Sequence, residues 1–385
     1  MKRPTAFLDV QLDATELALR QNARRFAETV IAPNAHEWEE AEYFPDSLFR
    51  TAAKAGLLGV GFPEHLGGQG GTVMHQMMVT EGFIHGGTTG VMAGLGSLGI
   101  ALPPILAGGS DDHVSRFIRP TLAGETIAAL AITEPGAGSD VAGVRTRAVK
   151  DGTDYRISGS KLFITSGCRA DFVTVLCRTS DDPHGGLTFF VVEKGMAGFS
   201  VSKHLQKTGW RASDTAELAF DEVRVPERNR VGAPGSAFLT LMKTFQAERL
   251  ALAAMGHASA EFLLEAAAAY ARERKAFGKV LTGHQVIRHR LAEMATQVAA
   301  AKAMNYAVGR RVALGDYLVA EVSMAKNFAS DVATRIAYDA VQILGGMGYM
   351  RESAVERIAR DVRLLPIGGG TTEIMNEIIG KTLGI

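Results

Sequence analysis

Cysteine is nearly absent from this chain: Cys168 and Cys177 are the only two in 385 residues. They have neither the spacing of a metal site nor the number for a disulfide framework, so a reducing compartment and no metal centre are expected. Net charge is absent too. Lys and Arg number 41, as do Asp and Glu, and no long run carries one sign. Nothing in that pattern points to nucleic acid or an anionic membrane. No uninterrupted apolar stretch reaches the roughly 18 residues that a membrane span needs. Met1-Lys2-Arg3-Pro4 leads into no apolar signal segment. Repeats and low-complexity tracts are also lacking. A cytoplasmic location is the expectation.

What is present is an ordinary globular composition, 46% hydrophobic and 21% charged, in a chain long enough for two or three domains and a large core. Residues 1–125 read as an N-terminal helical domain. Asp13 and Glu16 have capping-box spacing, and Leu19, Ala23, Phe26 and Val30 form a helical stripe. Pro45 opens a second helix that Gly56 closes, and a third runs from about Met74 to Ile84. Residues 126–230 carry short β-rich runs, such as Lys161–Thr165, Phe172–Leu176 and Leu187–Val192, separated by Gly-containing turns. They predict a small antiparallel β domain. Residues 231–385 are helical again and predict a C-terminal four-helix bundle, broken at Gly345-Gly346 and at Gly368-Gly369-Gly370. The fold class is α+β: helices, then strands, then helices.

Gly94-Leu95-Gly96-Ser97-Leu98-Gly99 matches the dinucleotide-binding fingerprint as a string. It neither follows a strand nor sits in a βαβ unit, so small residues permitting close approach of helices or of a ligand is the better reading. A stronger signal lies in the last third. Leu241, Phe245, Glu248, Leu252 and Met255 are spaced to share one helix face. Four are apolar, so Glu248 points where the core should be. A buried carboxylate has a raised pKa and suits a general base. The plain alternative is that Glu248 pairs with a cation or lies at the edge of the stripe in water.

Further motifs carry a resemblance. Ala131-Ile132-Thr133-Glu134-Pro135-Gly136-Ala137-Gly138-Ser139-Asp140 joins a rigid turn to exposed amides and hydroxyls, which suits a phosphate or flavin ring. The string resembles the signature of the acyl-CoA dehydrogenase family. Lys161-Leu162-Phe163-Ile164-Thr165-Ser166-Gly167 is similar to that family's second flavin segment, followed by Lys207–Thr215, Arg272–Lys279 with His284-Gln285, and Gln342–Gly346. The resemblance runs from about residue 12 to residue 382. It implies FAD held by Ile132, Thr133, Gly138 and Ser139. Phe163 would cover the isoalloxazine ring and Thr165 would bond near N5. Arg274 would meet the pyrophosphate from a neighbouring subunit, with Phe277, Gln285, Gln342, Gly346, Thr371 and Glu373 as further cofactor contacts. It also implies a homotetramer and an electron-transfer flavoprotein as electron acceptor. Taken singly, Thr133, Ser139 and Thr165 could simply cap turns, Arg274 could be a solvated charge, and Phe163 could be core.

The chain departs from the family at one place. Where the best-known members carry a Tyr-Glu-Gly-Thr segment with the catalytic base, this chain has Gly368-Gly369-Gly370-Thr371. Glycine cannot take a proton. Glu373 is the nearest carboxylate, but it belongs in the first turn of the last helix, where the dipole favours a plain ionised Glu. A minority of the family places the base on a helix bearing a Glu-Arg pair, and Glu248-Arg249 matches that position. The expected base is therefore Glu248. Gly369 would keep the backbone N–H that binds the thioester carbonyl, and Arg249 would orient the base or the CoA. Ser139, Gly94 and Gly368 are further substrate contacts implied. Loss of the Tyr and Glu side chains opens space at the substrate and leans towards long or branched acyl chains. The expected activity is α,β-dehydrogenation of an acyl-CoA. An oxidase or monooxygenase of the same fold, or a non-enzymatic acyl-CoA-binding protein, are the alternatives.

Overall fold

The computed structural model describes residues 4–385. Asp13 caps α1 (Ala14–Phe26): its side chain accepts from the Glu16 amide at 2.8 Å, and Glu16 accepts from the Asp13 amide at 3.0 Å. This is the reciprocal box expected of that spacing. Ala23 and Phe26 on its inner face are buried. α2 (Ala35–Ala41), α3 (Ser47–Lys54) and α4 (Val73–Phe83) follow, with α4 against α1. α5 (Thr89–Leu95) and α6 (Leu98–Gly108) come next, then the short turns α7 (Asp111–His113) and α8 (Arg119–Leu122). Thr89–Gly108 has the length and mean hydropathy, 1.7, of a membrane span. The sequence expectation missed this because Thr, Ser, Gly and Pro interrupt the apolar run. The stretch breaks between α5 and α6, and 61% of its most apolar window is buried inside the protein.

The middle of the chain folds as one sheet. Its strands are β1 (Ala128–Ala131), β2 (Arg147–Asp151), β3 (Asp154–Thr165), β4 (Phe172–Arg178), β5 (Leu187–Glu193), β6 (Phe199–His204), β7 (Thr215–Pro226) and β8 (Arg230–Val231). The order is β6-β7-β3-β2-β4-β5-β8, with β1 beside β4. The sheet is mixed where an antiparallel one was expected, because β1 and the start of β2 run parallel to β4. Buried on both faces, β4 and β5 are the continuous apolar strands.

The last part is helical. α9 (Ala237–Glu273) has 37 residues and is about 55 Å long at 1.5 Å per residue. A tight hairpin, β9 (Lys275–Ala276) and β10 (Lys279–Val280), leads into α10 (Gln285–Ala313) and α11 (Val319–Leu344). α12 (Ala354–Asp361) and α13 (Thr372–Leu383) complete the chain. α9, α10 and α11 pack on one another and α13 packs on α11, giving the four-helix arrangement. Ala253, Gly256 and Ala260 on α9, with Ala329 and Ala333 on α11, keep the side chains small at buried positions of these two helices.

Two buried polar junctions fix the parts to one another. Glu81 of α4 accepts from Tyr306 Oη at 2.7 Å and from Lys302 Nζ at 3.0 Å, with His257 Nε2 at 3.0 Å and Arg20 at 3.2 Å. Asp361 at the end of α12 accepts from the Thr89 amide and hydroxyl and from the Trp210 amide. That second carboxylate joins the first helices, the β6–β7 loop and the segment leading to Gly368.

Candidate active site

Glu248 lies eleven residues into α9, on the stripe that its spacing gave. Leu241, Leu252 and Met255 are buried; Phe245 and Glu248 are half-buried. The Glu248 carboxylate has no ion-pair partner within 4 Å among the described residues. Burial raises its pKa above the ordinary carboxylate value, opposed by the nearby Arg249 and Lys326 cations. Of the two plain alternatives, pairing with a cation is therefore not what the structure contains, and the residue is half-buried instead of lying out in water.

The loop at 368–371 comes up against this carboxylate. Gly369 has φ +64° and Gly370 φ +98°, the left-handed region that L side chains avoid. A Cβ built on Gly369 would lie 3.7 Å from Glu248 Oε1 and 2.4 Å from Leu252 Cδ1. The base candidate thus sits beside the residue where the family's commoner Glu is missing. Leu252, one helical turn from Glu248, fills the room that a side chain at 369 would take. Of the two positions expected to open space, 369 therefore has its room taken by Leu252, whereas a Cβ on Gly368 would meet only Leu364, at 3.7 Å. Cations hold the loop by its carbonyls. Arg249 Nε donates to the Gly369 oxygen at 3.2 Å, and Lys326 Nζ to the Gly370 oxygen at 2.7 Å. The amides of Gly369, Gly370 and Thr371 donate to no group among the described residues. Gly368 is half-buried, and its amide bonds back to Leu364. Thr371 caps α13 through its hydroxyl, and Glu373 is exposed in the first helical turn with its pKa lowered by hydrogen bonds from its own amide and from Thr371.

A second constellation forms around β3. Lys161, fully buried, donates to the Ile132 oxygen and to Glu134 Oε1, both at 2.8 Å. Glu134 also accepts from the amides of Arg145 and Thr146. Burial raises its pKa, but Lys161 and these hydrogen bonds outweigh that and hold it below the ordinary value. The Leu162 amide donates to the Thr133 oxygen at 2.8 Å. The two segments expected to share one ligand are therefore fastened edge to edge. Between Lys161 and Ile164 the register with β7 shifts. In that bulge Phe163 adopts φ +62° and is 65% exposed. An apolar ring held outward on a strained backbone marks a binding surface rather than core. The hydroxyls of Thr133, Ser139 and Thr165 make no hydrogen bond among the described residues, so none of them caps a turn. Gly138 and Ser139 are exposed, and a Cβ on Gly138 would meet nothing within 4 Å. Free hydroxyls, open backbone and an outward aromatic ring suit a large planar, phosphate-bearing cofactor.

The remaining candidates form a third group. Arg274 and Gln285 are exposed, and Phe277, with φ +51° at the tip of the β9–β10 hairpin, is 95% exposed. Arg274 follows directly on the end of α9, 26 residues beyond Glu248 and about 39 Å away along the helix. Gln342 and Gly346 are exposed at the end of α11, which an Arg290–Asp339 ion pair ties to the start of α10. One chain does not bring this group to Glu248. Gly94 needs correction as well. It is buried, and a Cβ there would lie 2.5 Å from the Phe44 ring. Close packing of protein on protein explains this glycine, in place of the substrate contact expected.

Sequence reasoning missed Lys326 and Leu252 as parts of the site and gave no role to Glu134 and Lys161. Leu252 was on the stripe, and Glu134 and Lys161 stood inside the motifs. Lys326 left no local signal, since its partners come from 44 and more residues away in sequence.

Comparison with known proteins gives one answer across the chain. The family descriptions "Acyl-CoA dehydrogenase, N-terminal domain", "middle domain" and "C-terminal domain" match residues 13–125, 129–223 and 237–384. The chain is 39% identical over 367 residues to the mitochondrial long-chain specific acyl-CoA dehydrogenase of Sus scrofa, covering 94% of this chain and 85% of that protein. A crystal structure of a probable acyl-CoA dehydrogenase from Mycobacterium abscessus superposes with TM-score 0.96 at 53% identity, covering 97% of this chain and all of that one. A glutaryl-CoA dehydrogenase from Mycobacterium smegmatis, solved in complex with FADH2, gives TM-score 0.94 at 27% identity and covers 100% of this chain and 98% of its own.

Proposed function

The chain belongs to the acyl-CoA dehydrogenase family, and from that premise we propose that it is an FAD-dependent enzyme in which Glu248 is the base. The observation that carries the proposal is the unpaired, desolvated Glu248 carboxylate beside Gly369. FAD, when bound, supplies the hydride acceptor for the β-hydrogen. Ile132, Thr133, Gly138, Ser139, Phe163 and Thr165 would hold it. Their free hydroxyls, open backbone and exposed ring support that role. Glu248 removes the α-proton of the acyl-CoA thioester. Its raised pKa increases its basicity, and its place on a rigid helix fixes the direction of attack. The Gly369 amide donates to the thioester oxygen and stabilises the charge that develops there. Arg249, by holding the Gly369 carbonyl, fixes the next peptide of the loop, the one that carries the Gly370 amide. Ser139 and Gly368 contact the substrate.

Arg274, Phe277, Gln285, Gln342 and Gly346 serve a neighbouring subunit's FAD in a homotetramer built from dimers. Support comes from their exposure and from the separation of about 39 Å along α9 between Glu248 and Arg274. Thr371 and Glu373 complete the cofactor contacts. Electrons pass on to an electron-transfer flavoprotein, in the cytoplasm. The long-chain relative supports a long acyl chain more than the space at Gly369 does. The test is anaerobic mixing of the purified protein with straight, branched and aromatic acyl-CoAs. Yellow protein that bleaches with a subset of them is the expected outcome. Colourless protein that takes up no FAD contradicts the proposal.

A further inference from the structure

Lys326 has a fully buried ammonium on α11 that no general need for packing explains. A Leu or Met would fill the same volume without the cost of burying a charge. It donates to a backbone carbonyl, that of Gly370, at 2.7 Å. The next residue, Asn327, donates to the Thr372 carbonyl at 3.1 Å and to Asn376 at 3.0 Å. α11 therefore grips the loop on both sides of Thr371, while Arg249 of α9 grips the preceding carbonyl. Peptides are planar, with N–H and C=O on opposite edges. Carbonyls drawn towards Arg249 and Lys326 leave the Gly370 and Thr371 amides turned the other way.

We propose that Lys326 is a positioning residue for the reaction: it anchors the 368–371 loop through the Gly370 carbonyl while its charge acts on the Glu248 carboxylate, which lies against the same loop at Gly369. The inference rests on Glu248 being the base. The charged groups around Lys326 are Glu248 and Arg249 from α9 and Glu373 from α13. Burial, then Arg249, pulls its pKa down to about 8, and the two carboxylates oppose this. The ammonium is thus mostly protonated at neutral pH, and it keeps the Glu248 pKa from rising as far as burial alone would take it.

The experiment is an infrared titration of the holoenzyme's protonated-carboxyl band, assigned to Glu248 by its loss in Glu248→Gln. It is paired with the pH profile of anaerobic flavin reduction. Lys326→Met removes charge and hydrogen bond; Lys326→Gln removes the charge and keeps a donor; Lys326→Arg keeps the charge. The expected result is a Glu248 midpoint raised by about one pH unit in the Met and Gln variants, the lower end of what a nearby opposite charge does, with the rate profile shifted equally. The Arg variant stays near wild type. The Gln variant keeps the test available should the Met variant fail to fold. Unchanged midpoints in both neutral variants overturn the role of Lys326 while leaving Glu248 as base. Normal flavin reduction by Glu248→Gln overturns the base assignment, and the inference falls with it.

Discussion

Gly369→Ala is the perturbation whose consequence the structure fixes most tightly. At φ +64° an alanine pays the left-handed penalty, about 1–2 kcal/mol. Its methyl group would lie 2.4 Å from Leu252 Cδ1, so one of them must move by more than an ångström to reach ordinary contact. Overpacking of that kind costs about 1–3 kcal/mol. The sum is a loss of about 2–5 kcal/mol. The two terms separate in a double-mutant cycle. Leu252→Ala alone loses about 2–5 kcal/mol as a buried large-to-small change. In the Leu252→Ala background the clash is gone, so Gly369→Ala then costs only the backbone term. A coupling of about 1–3 kcal/mol in that sense, measured by urea unfolding of the four proteins, is the expected outcome. Glu248 Oε1 is 3.7 Å from the new methyl position, an ordinary contact, so direct displacement of the carboxylate is not the cause. Equal costs in both backgrounds, or a Gly369→Ala protein as stable as the parent, would refute this account of the loop.

Other outcomes follow from the same geometry. Lys161→Met leaves Glu134 buried without its cation, a loss of about 3–5 kcal/mol for a broken buried pair; flavin retention on dialysis should fall with it, and unchanged retention would remove Lys161 from the account. Asp361 has its pKa raised to about 6 by burial and by Glu39. The folded state therefore binds more protons than the unfolded one between about pH 4 and 6. This group makes stability fall as pH rises through that window, and chemical unfolding of Asp361→Asn should lack that component. For Glu248 the sign is the same: its folded pKa is raised, so ionising it at neutral pH destabilises the fold. Glu248→Gln should be more stable than the parent at pH 7, and the difference should vanish in acid; greater stability of the parent at pH 7 would show the carboxylate to be favourably paired.

Much of this architecture was legible because local signals agreed with the tertiary ones. The Asp13–Glu16 box, the Gly56 helix end and the apolar strands β4 and β5 needed no long-range knowledge. β1 was hidden because Ala128-Ala129-Leu130-Ala131 favours helix locally and becomes a strand only by pairing with β4. β6 was hidden because it is an exposed, polar edge strand without alternation. Helix periodicity put Glu248 on the inner face of α9, but not its lack of a partner. That depends on Lys326 and Gly369, which arrive from far along the chain. Gly94 misled for the converse reason: a glycine needed for close packing and one needed for a ligand look identical in sequence, and Phe44 decides between them only in three dimensions.

The central claim is that Glu248 takes the α-proton. Stopped-flow flavin reduction by an accepted acyl-CoA, comparing the parent with Glu248→Gln, tests it most directly. The expected result is a variant that retains FAD and binds the acyl-CoA, yet is reduced at least about 100-fold more slowly, the scale of a lost general base. Reduction at the parent rate would contradict the claim and send the search for the base elsewhere in the site.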